Sequence, residues 1–240
     1  MNYRDSRRLA WDTETTSTDP TEARIVTAAI VARGGGRRDR TRTWLINPGV
    51  PIPPETTAIH GIGDEQAREH GADPQAALDE IAGMLASCLR HGMPVVAFNL
   101  SYDWSVLHHE LLRHGLLTMD QRLDGRTPYT LLDPLVLDKQ VDKYRRGNRR
   151  LKTVASHYGV GLTDWHTADA DATAALGVAD ALFEKYPKLR EVDAEALYLA
   201  QQAWREEQQT GLQQHLRKTD PTAVCDTGWP LIPGPRRAES

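Results

Sequence analysis

Two acidic residues, Asp12 and Glu14, lie two positions apart at the end of a segment that is predicted to form a β-strand. Because side chains at positions i and i+2 of a strand point to the same face, the two carboxylates are expected to lie side by side. Two like charges at one strand end are costly unless a cation lies between them. Mg²⁺ and Mn²⁺ prefer oxygen ligands, so the pair predicts a divalent-metal site. The alternative is a pair of exposed acids beside a turn.

A third acid, Asp103, follows the apolar run at residues 94–98, which predicts a short buried strand. Asp103 falls in the first turn of a helix predicted over residues 102–113. The ends of strands at such crossovers are where α/β sheets hold their ligands. The alternative is an acid that only interacts favourably with the helix dipole.

His166 lies immediately before a long, alanine-rich helix predicted over residues 168–186, and Asp171 lies within its first turns. Ala168 and Ala172 keep this stretch small, so a backbone and a metal ion can approach it closely. Asp169 is expected to face solvent or to cap the helix. The alternative is an acidic helix start beside a surface histidine.

Taken together, the order and local spacing of these segments resemble the DEDDh family of 3′–5′ exonucleases. That family includes the proofreading epsilon subunit of bacterial DNA polymerase III and the oligoribonucleases. The resemblance extends over about residues 9–186, and the matching positions are Asp12, Glu14, Asn99, Asp103, His166, Ala168 and Asp171. It implies an α/β, ribonuclease H-like fold, with a mixed five-stranded sheet and helices on both faces.

The resemblance also implies a mechanism that uses two divalent metal ions, Mg²⁺ or Mn²⁺. Asp12 is expected to bridge both ions, Glu14 and Asp171 to complete one site, and Asp103 to help hold the second ion. His166 is the expected general base for the attacking water. The expected product is a nucleoside 5′-monophosphate released from the 3′ end of DNA or RNA.

Substrate contacts are expected from three parts of the chain. The family's first motif supplies two threonines, the segment 58–62 resembles a family loop near the substrate end, and the segment 143–152 holds six cations and no acid. A basic loop suits an electrostatic funnel for a single strand, although a solvated loop is the alternative. The candidate substrate-binding residues are Thr15, Thr16, His60, Asn99, Arg145, Arg146, Arg149, Arg150 and Lys152. A second basic cluster, from Arg33 to Arg42, lies on a predicted hairpin and carries less weight.

One departure from the family pattern concerns the seating of the terminal base. The first motif often continues with glycine and a large apolar residue that wedges against the terminal bases. Here Thr16 is followed by Ser17 and Thr18. The sequence therefore leaves open how the terminal base is held, and with it the choice between DNA and RNA.

The remaining elements divide the chain into two predicted parts. Residues 1–187 are predicted to form the catalytic domain, and residues 188–240 a C-terminal extension with one long helix and a proline-containing tail. A stripe formed by Leu197, Ala200, Trp204 and Leu212 is expected to pack on the domain, with docking of a partner as the alternative. The segment 229–233 is a candidate anchor or linear motif.

The composition of the 240-residue chain limits the classes of function. The net charge of −4 is unusual for a protein that coats a duplex, but metal ions can supply positive charge locally. No apolar stretch approaches the roughly 20 residues that cross a bilayer, so a cytoplasmic location with reduced Cys88 and Cys225 is expected. The expected partners are a single-stranded 3′ end and a DNA polymerase or another replication or repair protein, while the oligomeric state is open.

Two other functions fit parts of the sequence. The segment 12–16 faintly resembles the nucleophile motif of haloacid dehalogenase-like phosphatases, in which the second acid is normally aspartate. A non-catalytic nucleic-acid-binding or polymerase-associated module with the same fold is the alternative that involves no catalysis. All five expected catalytic residues are present, which favours the enzyme.

Overall fold

The computed structural model describes residue 3, residues 5–161 and residues 167–233. Its elements follow one another in the order β1 (Arg7–Thr15), β2 (Ile25–Gly34), β3 (Arg40–Leu45), α1 (Pro54–His60), α2 (Asp64–His70), α3 (Pro74–Arg90), β4 (Val95–Val96), α4 (Leu100–Arg113), α5 (Met119–Arg122), β5 (Leu131–Leu132), α6 (Pro134–Val141), α7 (Leu151–His157), α8 (Ala168–Lys185), α9 (Lys188–Glu191) and α10 (Ala194–Leu216).

The strands form one mixed sheet with the order β3-β2-β1-β4-β5. The first three strands are antiparallel neighbours, whereas β4 and β5 run parallel to β1. β4 and β5 are only two residues long, so the chain leaves each of them almost directly for the next helix. The predicted five-stranded sheet is confirmed, and the C-terminal ends of β1, β4 and β5 meet at one edge of it.

The central strand β1 buries both of its faces. Leu9 and Trp11 belong to an apolar cluster with α3 and α4. Ala10 belongs to a second cluster with α8, whose buried side chains include many alanines. Since alanine is small, α8 packs closely on β1. Asp12 and Glu14 lie two and four residues after Ala10 in the same strand. Because alternate side chains of a strand point to the same face, both acids face α8, as Ala10 does.

Local capping signals explain where several helices begin and end. Asp73 accepts a hydrogen bond from the amide of Ala76 at 2.9 Å, and α3 starts at the next residue, a proline. The prediction of a loop at residues 58–62 was wrong for residues 58–60, because these residues form the last turn of α1. Pro54 occupies the first turn of that helix, and Gly61, with φ 78°, ends it by donating its amide to the Thr57 carbonyl.

The C-terminal extension packs on the sheet. Leu197 and Tyr198 are buried in the two apolar clusters that cover the sheet, and the Tyr198 ring lies 4.9 Å from that of the buried Trp229. Trp204 packs against both clusters. Leu212 is 41% exposed, so the predicted stripe was wrong at this position, which lies beyond the sheet contact.

Two further observations bear on the predictions from composition. None of the described helices combines the length and the apolar character needed to cross a membrane. Both Cys88 and Cys225 are free and half-buried.

Candidate active site

Three carboxylates come together where β1 meets the start of α8. Asp12, Glu14 and Asp171 each offer an oxygen, and these oxygens all lie within 4.8 Å of one another. β1 places two of them on one face by its period of two, and the first turns of α8 supply the third. Such a spacing allows three carboxylates to share one or two divalent cations.

Asp103 approaches the same place from the first turn of α4. Its side chain is only 4% exposed, and its Oδ1 accepts hydrogen bonds from the Thr13 amide at 3.1 Å and the Thr13 hydroxyl at 2.7 Å. Burial raises the pKa of Asp103 to about 7, against the opposing effect of the Thr13 hydrogen bonds. Thr13 lies between Asp12 and Glu14, so Asp103 is fixed directly to the strand that carries the other acids.

The pKa shifts show that negative charge is concentrated here. Burial is the main cause that raises the pKa of Asp12, followed by the charges of Asp103, Asp171 and Glu14. Burial and then the charges of Asp171 and Asp103 raise the pKa of Glu14 to about 8. Among the described residues, the charges that shift these two groups are all negative. A bound cation would relieve this repulsion and return the carboxylates to their ionised form.

The turn after β1 uses the two predicted threonines internally. The Thr15 hydroxyl lies within hydrogen-bond distance of the Ser17 carbonyl, at 2.9 Å, and of the Tyr102 hydroxyl, and its single proton serves one of these two acceptors. The Tyr102 hydroxyl also donates to the Ser17 carbonyl. Thr16 accepts a hydrogen bond from the Arg24 amide at 3.0 Å. Sequence analysis missed Tyr102, whose only signal is its position immediately before Asp103.

His60 and Asn99 take different positions near the acids. His60 is 8% exposed and lines a cavity of about 360 Å³ together with Thr27 and Thr167. Its Nδ1 accepts a hydrogen bond from the Ile62 amide at 3.1 Å, and burial lowers its pKa, so the ring is neutral at pH 7. Asn99 adopts φ 65° directly before α4. Thr27 pairs with Glu14 across the sheet, which places this cavity beside the acidic cluster.

The basic segment 143–152 divides into buried and exposed cations. Arg145 donates to both oxygens of Asp138, at 2.9 and 2.6 Å, and Arg149 donates to the same carboxylate at 2.6 Å. Asp138 is completely buried. Because a buried carboxylate needs paired cations, Arg145 and Arg149 are engaged inside the protein, and their predicted contact with substrate stays a prediction. Arg146, Arg150 and Lys152 are exposed.

The second basic cluster lies far along β1 from the acids. Arg37, Arg38 and Arg40 line a groove of about 750 Å³ that also contacts Arg7, at the opposite end of β1. Its floor contains Leu9 and other side chains of the face turned towards α3. The acidic cluster and this groove therefore lie on opposite faces of the sheet.

His166 lies outside the described residues. Its predicted role as general base stays a prediction that depends on the family resemblance and on its place two residues before α8.

Comparison with known proteins identifies the family. A family model described as Exonuclease matches residues 9–179. The chain belongs to this exonuclease family. It is 25% identical over 181 residues to the PolC-type DNA polymerase III of Lacticaseibacillus paracasei, covering 75% of this chain and 12% of that protein. It is 29% identical over 187 residues to a DNA polymerase III epsilon-like protein of Rhodobacter capsulatus, covering 76% and 24%. The chain thus spans a quarter or less of these two relatives.

A phage protein and two solved structures complete the comparison. The chain is 29% identical over 180 residues to the uncharacterised exonuclease CP81 of Escherichia phage 186, covering 73% of this chain and 87% of that protein. Exonuclease I of Methylocaldum szegediense is similar with a TM-score of 0.62 and 24% identity, covering 76% and 41% of the two chains. Exonuclease I of E. coli with a dA16 oligonucleotide gives a TM-score of 0.62 and 20% identity, covering 77% and 42%. These structures confirm the ribonuclease H-like fold, and family membership leaves the phosphatase alternative unsupported.

Proposed function

We propose that the chain is a metal-dependent 3′–5′ exonuclease that releases nucleoside 5′-monophosphates from the 3′ end of DNA or RNA. The single observation that carries this proposal is the convergence of Asp12, Glu14 and Asp171 within 4.8 Å. Asp103 adds a fourth acid, and membership in the exonuclease family supports the reaction class.

The residues present fit divalent metal ions. Carboxylate oxygens are the ligands that Mg²⁺ and Mn²⁺ prefer, and the raised pKa values of Asp12 and Glu14 reflect negative charge that a cation would balance. Two such ions, when bound, supply an activated water at neutral pH and charge stabilisation on the phosphate. Asp12 would be shared by both ions, Glu14 and Asp171 would complete one site, and Asp103 would help hold the other.

The chain's own residues would then orient the substrate and move the proton. His166 is proposed to take the proton of the attacking water, since imidazole titrates near neutral pH. His60 lines the cavity beside the acids and Asn99 precedes the helix that carries Asp103, and both are proposed to contact the terminal nucleotide. Thr15 and Thr16 would shape the turn that follows the metal-binding strand through the contacts described above, and their predicted contact with substrate is part of this proposal.

The exposed members of the basic segment are proposed to attract the strand. Arg146, Arg150 and Lys152 face solvent and can approach phosphates. Arg145 and Arg149 are held by Asp138, so we propose that they support the segment. A single-stranded DNA substrate agrees with the oligonucleotide bound to E. coli exonuclease I, and association with a polymerase agrees with the two polymerase III relatives. A cytoplasmic location would bring the chain to such partners.

A substrate panel tests the proposal. Single-stranded DNA, mismatched duplex and short RNA, each labelled at the 3′ or the 5′ end, would be incubated with Mg²⁺, Mn²⁺ or EDTA. We expect mononucleotides from the 3′ end, dependence on the metal, and no turnover by Asp12→Asn or Asp171→Asn. The matched control is Asp120→Asn, since Asp120 is an exposed helix-start acid outside the cluster. Binding without turnover in every metal would favour the non-catalytic module instead.

A further inference from the structure

The C-terminal extension reaches the first turns of α4 through two buried polar contacts. One starts from Gln201 in α10 and the other from Ile232 in the tail. We call these two contacts the C-terminal clamp. Apolar packing alone would suffice to dock an extension, so buried, directional hydrogen bonds at this particular helix require a separate explanation.

The first contact fixes the end of the edge strand β5. Gln201 is completely buried; its Oε1 accepts a hydrogen bond from the Asp133 amide at 2.8 Å, and its Nε2 donates to the Leu131 carbonyl at 3.1 Å. The Asp133 carboxylate, also completely buried, accepts hydrogen bonds from the amides of Asn99 and Leu100, both at 3.0 Å. Gln201 therefore fixes Asp133, and Asp133 fixes the first turn of α4.

The second contact acts one turn further along α4. The Ile232 amide donates to the Ser105 hydroxyl at 2.7 Å, and that hydroxyl donates to the Ser101 carbonyl at 2.6 Å. Both serines are completely buried. The edge-to-face contact between Trp229 and Tyr198 fixes the tail at this place. The clamp thus holds the segment from Asn99 to Ser105 at both of its ends.

Asp103 lies between the two contacts. Its helix is preceded by Asn99 with φ 65°, a left-handed conformation that is uncommon for residues with a side chain and that asparagine adopts more readily than most. The hydrogen bonds from Asn99 and Leu100 to Asp133 hold this turn. A small rotation of the turn would move the Asp103 carboxylate away from Thr13 and from the other acids.

We infer that the C-terminal clamp positions Asp103 for metal binding, so that the extension is a functional component of the nuclease site. Gln201, Ser105 and Ile232 are positioning residues, since they act through Asp133 and the α4 backbone. The inference rests on the proposed function, because it assigns Asp103 to a metal ion. Residues that orient metal ligands commonly change metal affinity by about 10–100-fold when they are replaced.

The test compares matched variants of the full chain. Gln201→Met removes the side-chain hydrogen bonds of Gln201, including those to Asp133 and Leu131, with little change in volume. Ser105→Ala removes the second contact by deleting one oxygen. The control is Gln208→Met, the same substitution on the same helix, because Gln208 donates to the Val136 carbonyl and, among the described residues, makes no hydrogen bond to Asp133 or to α4. Free Mn²⁺ would be followed by electron paramagnetic resonance in a titration, and thermal melting in EDTA would establish that each variant is folded.

We expect Gln201→Met and Ser105→Ala to weaken one of the two Mn²⁺ sites by about 10-fold or more, the same site that Asp103→Asn weakens, and to leave the other unchanged. The metal concentration for half-maximal hydrolysis should rise in parallel, saturating Mn²⁺ should restore kcat, and the KM for the oligonucleotide should not change. Gln208→Met should match the wild type. Asp103→Asn should not be restored by added metal.

Two results would overturn the inference. One is wild-type Mn²⁺ binding and wild-type metal dependence in both clamp variants. The other is a loss of activity that follows the lowered melting temperature and is not restored by Mn²⁺, because that is the behaviour of a contact that only stabilises the fold. Failure of the proposed function is distinguishable: the wild type itself would bind no Mn²⁺ or hydrolyse nothing, or Asp12→Asn would be as active as the wild type.

Discussion

Two pairs of arginines in the basic segment 143–152 are expected to have different roles, one in stability and one in nucleic-acid binding. Two double variants that remove the same amount of charge can tell these roles apart. Arg145→Ala/Arg149→Ala and Arg146→Ala/Arg150→Ala each remove two positive charges from the same six residues, 145–150. The first pair is held by the buried Asp138, whereas the second pair is exposed. We therefore expect the first double variant to lose stability and the second to lose affinity for nucleic acid.

The magnitudes follow from the burial of the acid. Removing both arginines leaves the fully buried Asp138 carboxylate with the Tyr158 hydroxyl, at 2.9 Å, as its remaining described hydrogen-bond donor. Breaking a buried ion pair on one side costs about 3–5 kcal/mol. At about 2–4 °C per kcal/mol for a chain of this size, the melting temperature should fall by about 6–20 °C. The exposed pair should change stability by no more than about 1 kcal/mol.

The two readouts are independent. Thermal melting in EDTA measures stability, and fluorescence anisotropy of a labelled single strand measures affinity over a range of salt concentrations in an Asp12→Asn background. Each lost phosphate contact to a single strand lowers the salt slope by about 0.7, so Arg146→Ala/Arg150→Ala should lower it by about 1.4. Equal melting temperatures for the two double variants would refute the reasoning, as would a loss of affinity in the Arg145/Arg149 variant without a loss of stability.

Three further outcomes are expected. Asp12→Asn should raise the melting temperature of the metal-free protein while it abolishes hydrolysis, because burial and neighbouring anions oppose ionisation of this carboxyl; a lower melting temperature in EDTA would contradict this. The folded, metal-free protein holds the proton of Glu14 more tightly than the unfolded chain, since the pKa rises from 4.5 to about 8. Its stability should therefore decrease as the pH rises from about 5 to about 9, and Mg²⁺ should reduce this decrease, which melting curves with and without the metal would measure. Glu110→Ala should cost about 3–5 kcal/mol in urea denaturation, because the buried carboxylate accepts from the Ile25 amide at 3.2 Å and from Arg113 at 2.6 Å; a cost below about 1 kcal/mol would show that the pair contributes nothing.

The elements that carry the acids could be predicted because local periodicity determines them. A strand with a period of two fixes the relative direction of Asp12 and Glu14, and an alanine-rich helix start fixes the place of Asp171. The sheet then follows from the alternation of short apolar runs with amphipathic helices. The loop expected at residues 58–62 came from the family resemblance, whereas the local sequence begins α1 with Pro54 and ends it with Gly61.

The contacts that the sequence did not reveal are long-range ones between polar residues. Gln201 belongs to a helix rich in glutamine and glutamate, whose composition predicts exposure, yet it is completely buried. Likewise Asp138 lies in the middle of a short helix, and only the tertiary packing of α6 shows that it is buried beside Arg145 and Arg149. Burial depends on what packs against a residue, so no local pattern distinguishes these side chains from solvated neighbours.

The long sequence separations within the clamp bear on when a newly synthesised chain acquires its full affinity for metal. Ser105 and Ile232 are 127 positions apart, and Asp133 and Gln201 are 68 apart, so both contacts close very large loops. Contacts of this kind form late, because the entropy of loop closure must be overcome before they contribute. On a ribosome, the strands and α8 would emerge first. The four acids could then come together before the two clamp contacts hold the helix that carries Asp103. Under the inferred role of the clamp, full metal affinity would then arise only after residue 232 has left the exit tunnel and can reach Ser105.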